Sequence, residues 1–190
     1  MLILASTSPF RAQLLTQAGI PFEAHAPGVD EIADPSLDPA ALALSFARQK
    51  AEALWERFPD RLVLGSDQTL EIDGRLLRKP ADRDEARAEL LALSGRTHRL
   101  HSALWLCRRT PHLDVHTIST VRLTMYPLTV TEVESYLDTD EWKGCAGAFR
   151  IEAKGLQLFE AIDGDYHAII GLPMTALLKM LRQAGEPMHF

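Results

Sequence analysis

The stretch Leu2-Ile-Leu-Ala-Ser-Thr-Ser-Pro-Phe-Arg11 predicts a strand, a polar turn and the start of a helix in direct succession. Its four apolar residues, 2–5, are typical of a short buried strand. Ser8 followed by Pro9 suits an N-cap and the first helical position, and Gly19 fits the end of that helix.

This arrangement is compatible with a phosphate site, because free N–H groups and the dipole at a helix N-terminus attract anions. Ser6 and Ser8 could add hydroxyl donors, and Arg11 a guanidinium that binds an anion through two hydrogen bonds. The alternative interpretation is an ordinary capped helix that carries a surface arginine.

Outward from this stretch, helices and strands alternate. Residues 20–37 predict a strand and an acidic loop that contains Val29-Asp-Glu31. Asp38-Pro39 predicts the start of a second helix that runs to about Phe58. Residues 61–65 predict a buried strand that ends in Ser66-Asp67-Gln68.

The second half of the chain contains both hairpin and helix signals. Asp73-Gly74 predicts a hairpin turn, and residues 97–108 and 113–126 predict two long strands joined by a short connection. Further helices are expected from Asp82 or Asp84, from the capping box at Thr129, and from about 171–173 to Gly185. Because strands and helices interleave while some strands are joined by hairpins, we expect an α/β fold with a mixed sheet.

The bulk composition excludes several classes of protein. A length of 190 residues suits one domain of one or two lobes, and the net charge of −6 argues against binding nucleic acid or an anionic membrane surface. The two cysteines, Cys107 and Cys145, form no Cys-x-x-Cys pair, and both are expected to be buried thiols. The apolar N-terminus lacks a basic leader and no stretch reaches the length of a membrane span, so we expect a cytoplasmic protein.

Asp67 is the strongest candidate for chemistry among the acidic residues. An acid directly after a buried strand often lies at the carboxyl edge of a sheet, where it could bind Mg²⁺ or orient a water as general base. A turn-forming aspartate is the alternative. A haloacid-dehalogenase-type phosphatase is excluded, because Gly65 stands where that site needs a nucleophilic aspartate.

Other charged residues are individually typical of a solvated surface. This holds for Glu31, for Lys50 and for Lys79, which precedes Pro80. Two histidine pairs, His98 with His101 and His112 with His116, have spacings that bind metal on helices. Both pairs fall in predicted strand or loop, so no zinc site is expected.

Taken together, the segments resemble the Maf family of nucleotide pyrophosphatases, which is related in fold to inosine triphosphate pyrophosphatases. They follow the family's order over nearly the whole chain. The matched segments are Leu4-Ala-Ser-Thr-Ser-Pro-Phe-Arg11, Val29-Asp-Glu31, Lys50-Ala51, Gly65-Ser-Asp-Gln68, Lys79-Pro80, Ser94-Gly95, Gly144-Cys-Ala-Gly-Ala-Phe149 and Gly171-Leu-Pro173.

The resemblance implies a mixed twisted sheet flanked by helices with a central cleft, in a single domain over residues 1–190. It implies metal-dependent hydrolysis of a nucleoside triphosphate to monophosphate and pyrophosphate, with Mg²⁺ or Mn²⁺. Asp67 would be the general base, and Glu31 would hold the metal together with Asp67. Ser6, Arg11, Lys50 and Lys79 would neutralise the triphosphate. The resemblance also implies a homodimer.

Three features resemble the branch of the family that is associated with 7-methyl-GTP. They are the Ser66-Asp67-Gln68 triplet, Phe10 before Arg11, and Glu152. An aromatic face and a carboxylate suit a methylated, cationic guanine. Phe10, Gln68 and Glu152 are therefore the residues expected to recognise the base.

Two alternative functions are also compatible with the sequence. One is a dTTP/UTP pyrophosphatase of the same family, and the other is a non-catalytic nucleotide-binding regulator of cell division. Ala12 departs from the family, since a second arginine is usual there. That departure puts the affinity for phosphate in question rather than the reaction type.

Overall fold

The computed structural model describes residues 1–187 and contains a seven-stranded sheet flanked by helices. The strands are β1 Leu2–Ala5, β2 Phe22–His25, β3 Val63–Ile72, β4 Arg75–Leu77, β5 Thr97–Arg108, β6 Leu113–Met125 and β7 Phe159–Asp163. The α-helices are α1 Pro9–Gln17, α2 Pro39–Trp55, α3 Arg83–Leu93, α4 Val130–Leu137, α5 Tyr166–Ile170 and α6 Met174–Gln183.

The sheet is mixed, as the sequence predicts. Its strand order is β2-β1-β3-β5-β6-β7, and β4 pairs with β3. β1 is parallel to both β2 and β3, whereas the pairs β3/β4 and β6/β7 are antiparallel. The predicted α/β class is confirmed.

The helix starts agree with the capping signals. Ser8, Asp38 and Thr129 are N-caps whose side chains accept hydrogen bonds from backbone N–H groups. Thr129 also forms a complete capping box with Glu132. The third helix begins after Asp82, one of the two starts expected. The second helix ends at Trp55 rather than at Phe58, and the N–H groups of Arg57 and Phe58 both donate to the carbonyl of Leu54 in the turn that follows.

One strand and one α-helix were not predicted from the sequence. The strand β7 and the five-residue helix α5 precede the last helix, which begins at Met174. Both are short, and such elements carry little periodic signal.

The chain divides into two compact units. The first contains Met1–Gln68, His101–Thr120 and residues 165–187, and the second contains Thr69–Leu100 and Val121–Gly164. None of the helices within residues 1–187 is long and apolar enough to cross a membrane.

The core of the first unit lies on both faces of β1. Leu2 and Leu4 belong to one cluster with residues of α1 and α6, whereas Ile3 and Ala5 belong to another cluster with residues of α2. A strand buried on both faces reads as a continuous apolar run, which is the pattern that opens the chain.

A close contact between α2 and β3 depends on small residues. Ala43, Ala47 and Ala51 recur every four residues along α2 and are fully buried. A Cβ atom at Gly65 would lie 1.9 Å from the carbonyl oxygen of Ala47, so only glycine fits at this point of β3. This close packing brings the face of α2 that carries Lys50 near the strand that carries Asp67.

Candidate active site

Asp67 lies within β3 and not after its end. The strand continues to Ile72, because residues 70–72 pair with β4. The expectation that the strand ends at Gly65 is therefore wrong. β1 pairs with β3 only up to Leu64 and itself ends at Ala5, so Asp67 lies beyond the carboxyl end of the parallel neighbour.

Lys50 joins two carboxylates. Its Nζ atom forms ion pairs with Oδ1 of Asp67 and, at 2.8 Å, with Oε1 of Glu31. The side chains of Lys50 and Asp67 are only 11% and 14% exposed, whereas that of Glu31 is 43% exposed. Burial raises the pKa of the Asp67 carboxyl above its ordinary value, and the positive charge of Lys50 opposes this change.

The turn between β1 and α1 places Ser6 and Arg11 beside each other. Ser6 Oγ accepts from the backbone N–H of Ser8 at 3.1 Å and from Nη1 of Arg11 at 3.3 Å. Burial lowers the pKa of Arg11, and the negative charges of Asp67 and Glu31 oppose that effect. Arginine remains a cation at neutral pH despite such a change.

The backbone at the start of α1 leaves fewer free donors than the sequence suggests. Pro9 has no N–H, the N–H of Arg11 donates to Ser8 Oγ at 3.4 Å, and that of Ala12 donates to the carbonyl of Ser8. The hydroxyl of Ser6 and the guanidinium of Arg11 are therefore the main candidates for binding an anion here. Ala12, in turn, packs against the apolar core of the first unit.

Gln68 is bound to the backbone of α5. Its Nε2 atom donates to the carbonyl oxygens of Ala168 at 2.6 Å and Ile169 at 3.1 Å. Both amide protons are thus used, which leaves its carbonyl oxygen for any ligand. Phe10 is half-buried in the first turn of α1.

Gly171 and Ser66 belong to the same group of contacts, and the sequence analysis assigned neither of them an individual role. The carbonyl of Gly171 accepts from Nε of Arg11 and from Oγ of Ser66, each at 3.2 Å. The available signals were the Ser66-Asp67-Gln68 triplet and the Gly171-Leu-Pro173 segment of the family resemblance, which indicate motifs but no contact.

Lys79 and Glu152 lie in the second unit. Lys79 is exposed between β4 and α3, and Oε1 of Glu152 lies 3.8 Å from Nε of Arg150. Burial is the main cause that raises the pKa of the Cys145 thiol. The negative charge of Glu152 raises this pKa further, whereas the positive charge of Lys79 lowers it. Cys145 is half-buried, not fully buried as expected, whereas Cys107 is buried and the low-dielectric surroundings raise its pKa to about 12.

Of the two histidine pairs, His98 lies in the second unit and the other three histidines lie in the first. His98 is buried against Phe149 and Phe159, and its ring nitrogens have no hydrogen-bond partner within residues 1–187. His101 Nδ1 lies 2.9 Å from Thr120 Oγ1. Among the residues that the structure describes, no three His, Cys, Asp or Glu side chains are grouped to hold a metal ion.

Glu31 and Asp67 nevertheless suit a divalent cation of the magnesium type. Their oxygens converge on the same Lys50 Nζ atom, so they can approach one cation. Mg²⁺ in proteins is commonly held by one or two carboxylates, with substrate phosphates and waters as its remaining ligands. A pair of carboxylates whose charges act on the Arg11 guanidinium fits that chemistry.

Curated proteins with known names match nearly the whole chain. A "7-methyl-GTP pyrophosphatase" of Rhizobium johnstonii is 46% identical over 97% of this chain and 96% of its own length. A protein of the same name from Xanthomonas axonopodis pv. citri is 44% identical over 97% of this chain and 96% of its own length. A "Nucleoside triphosphate pyrophosphatase" of Rhodopseudomonas palustris is 45% identical over 96% of this chain and 93% of its own length.

One solved structure and one family model also match. The structure of the Staphylococcus aureus Ham1 protein covers 66% of this chain and 72% of its own, with a TM-score of 0.48 and 14% identity. That similarity is too weak to support an inference. The model of the Maf-like proteins matches residues 1–184. On this match and on the identity to the curated relatives, the chain belongs to the Maf family.

Proposed function

We propose that this protein hydrolyses the bond between the α- and β-phosphates of a modified nucleoside triphosphate, 7-methyl-GTP, to monophosphate and pyrophosphate. The observation that carries the proposal is the convergence of Asp67, Lys50 and Glu31 in the unit that also contains Ser6 and Arg11. The names of the relatives in Rhizobium and Xanthomonas support both the reaction and the substrate.

Asp67 is the general base in this proposal. Its carboxylate accepts a proton from the water that attacks the α-phosphorus, and the pyrophosphate leaves as the P–O bond breaks. The raised pKa of Asp67 suits this role, because a carboxylate with a higher pKa is a stronger base. Lys50 holds Oδ1 and thereby restricts the orientation of the carboxylate.

Cations and hydroxyls of the chain bind the triphosphate. Arg11 and Lys50 neutralise its charge, and Ser6 donates its hydroxyl proton, since the Ser6 oxygen already accepts two hydrogen bonds. A divalent cation held by Glu31 and Asp67 would supply further charge neutralisation. Electrostatic stabilisation and positioning are the main sources of catalysis in phosphoryl transfer.

Base recognition is assigned to Phe10, Gln68 and Glu152. Phe10 offers an aromatic face, and the carbonyl oxygen of Gln68 can accept a hydrogen bond from a guanine, because its amide protons are bound to α5. The roles of Lys79 and Glu152 rest on the family resemblance. A homodimer, which rests on the same resemblance, and a cytoplasmic location, which rests on the sequence, are likewise part of the proposal.

The test is product analysis by liquid chromatography and mass spectrometry. Purified protein is incubated with 7-methyl-GTP, GTP, UTP, dTTP and CTP, each with and without Mg²⁺ or Mn²⁺. We expect metal-dependent formation of 7-methyl-GMP and pyrophosphate as the fastest reaction. Faster cleavage of UTP or dTTP would assign the protein to the pyrimidine branch. Folded protein that binds nucleotides without cleaving any of them would instead support the binding regulator.

A further inference from the structure

We propose that the segment from Ala168 to Gly171, called here the carbonyl turn, positions Arg11 for the substrate's phosphates. Ser66 and Gln68, the two neighbours of Asp67, hold this turn in place. The inference rests on the proposed function and adds positioning residues that act through Arg11.

The first support is the set of hydrogen bonds that converge on the carbonyl turn. The Gly171 carbonyl accepts from both Arg11 Nε and Ser66 Oγ at 3.2 Å, and Ser66 is fully buried. Gln68 binds the carbonyls of Ala168 and Ile169. One short piece of backbone is therefore tied both to the strand that carries the general base and to the arginine.

The second support is the rigidity of the turn itself. The N–H groups of Gly171 and Leu172 both donate to the carbonyl of His167 at 3.1 Å. Leu172 is fully buried in the core of the first unit. The direction of the Gly171 carbonyl is thus determined by backbone bonds and core packing before any ligand binds.

The third support is the requirement for glycine at position 171. Its φ angle is 147°, a conformation that residues with a side chain rarely adopt. A Cβ atom there would lie 3.2 Å from Cγ and 3.7 Å from Nε of Arg11. The missing side chain leaves the space in which the arginine lies against the turn.

These contacts leave Arg11 with one nitrogen for the substrate. Nε donates to Gly171 and Nη1 donates to Ser6, whereas Nη2 has no hydrogen-bond partner within residues 1–187. Because the side chain is already ordered, binding a phosphate at Nη2 costs less conformational entropy than it would for a free arginine. The carbonyl turn is therefore a positioning element for Arg11.

A double-mutant cycle with Gly171→Ala and Arg11→Gln tests this inference. In the wild-type background, Gly171→Ala should lower kcat/KM for 7-methyl-GTP by about 10- to 100-fold, since small displacements of substrate-positioning groups are costly. In the Arg11→Gln background the same change should cost less than about 3-fold, because the group that it displaces is gone. Equal losses in both backgrounds would overturn the proposal.

A second variant and a second readout keep the test decisive. Ser66→Ala removes one donor to the Gly171 carbonyl without backbone strain, and it replaces Gly171→Ala in the cycle if that variant fails to fold, as judged by circular dichroism. Calorimetric titration with inorganic tripolyphosphate measures anion binding without turnover. Weakened binding in Gly171→Ala that disappears in the Arg11→Gln background supports the positioning role even if the wild type hydrolyses no nucleotide. Unchanged binding contradicts it.

Discussion

Lys50 and Asp67 form an ion pair although they lie 17 residues apart, one on α2 and the other on β3. The pair exists because α2 approaches β3 at Gly65, where no side chain separates the helix from the strand. The same lysine binds Glu31, so two carboxylates are held near one positive charge. The chemistry and the packing of this site can therefore be tested separately.

The first prediction separates activity from stability at Asp67. Asp67→Asn keeps the shape of the side chain but removes the carboxylate that acts as the base, so turnover should fall by roughly 10²- to 10⁴-fold. Stability should not fall. Since burial raises the folded-state pKa of Asp67, the unfolding free energy decreases as pH rises through its unfolded pKa, and the ionised group costs stability at neutral pH.

Kinetics and urea unfolding at pH 7 check this prediction. Asp60→Asn, at an exposed position, is the matched control and should change neither quantity. Near-normal turnover of Asp67→Asn would remove Asp67 from the role of general base.

The second prediction concerns the contact between α2 and β3. Gly65→Ala places a methyl group against the backbone of Ala47, so the helix must move away from the strand. We expect a loss of stability of about 1–3 kcal/mol or more, typical of overpacking, together with a loss of activity as Lys50 withdraws from Asp67.

Gly74→Ala is a suitable comparison for this variant. Gly74 has a positive φ of 79° but open space around its Cβ position. It should lose only about 1–2 kcal/mol through backbone strain and retain activity. If Gly65→Ala is as stable and active as the wild type, the close packing is not required for the site.

The third prediction concerns the buried histidine of the second unit. Burial lowers the pKa of His98 from 6.5 to about 4, and the nearby charge of Glu71 opposes this only in part. Between about pH 6.5 and pH 4, the imidazole of His98 is therefore protonated in the unfolded chain but neutral in the folded chain. This difference leaves the free energy of unfolding unchanged above about pH 6.5. As the pH falls from 6.5 toward 4, it lowers the free energy of unfolding by roughly 3 kcal/mol.

Urea unfolding at pH 7 and pH 4.5 measures this effect. His98→Leu should show a smaller loss of stability between the two pH values than the wild type. His112→Leu, at an exposed position, should retain the wild-type difference. Parallel behaviour of His98→Leu and the wild type would contradict the assignment.

The fourth prediction concerns recognition of the base. Phe10→Ala should lower kcat/KM for 7-methyl-GTP more than for UTP, because a methylated, cationic guanine stacks more strongly on an aromatic ring. Steady-state kinetics with both substrates decide the matter. Equal losses on the two would argue against stacking and would leave Phe10 with a structural role.

Local signals in the sequence were sufficient for much of the secondary structure. Ser8, Asp38 and Thr129 cap helices where predicted, since a capping side chain bonds to N–H groups only three residues away. The apolar run at residues 2–5 also predicted a buried strand from local sequence alone, because a strand that is buried on both faces has consecutive apolar residues. The family resemblance then grouped residues whose individual patterns are unremarkable.

Tertiary structure decided how those residues meet. The sequence showed neither that β3 continues through Asp67 nor that Gln68 would bind carbonyls 100 and 101 residues away. The contact of Gly171 with Arg11 spans 160 residues. Such contacts depend on the path of the whole chain and on close packing, whereas capping and periodicity depend on neighbours within one turn. The sequence by itself thus determined most of the elements and the chemical groups, and the packing of α2 and the carbonyl turn against β3 determined their geometry.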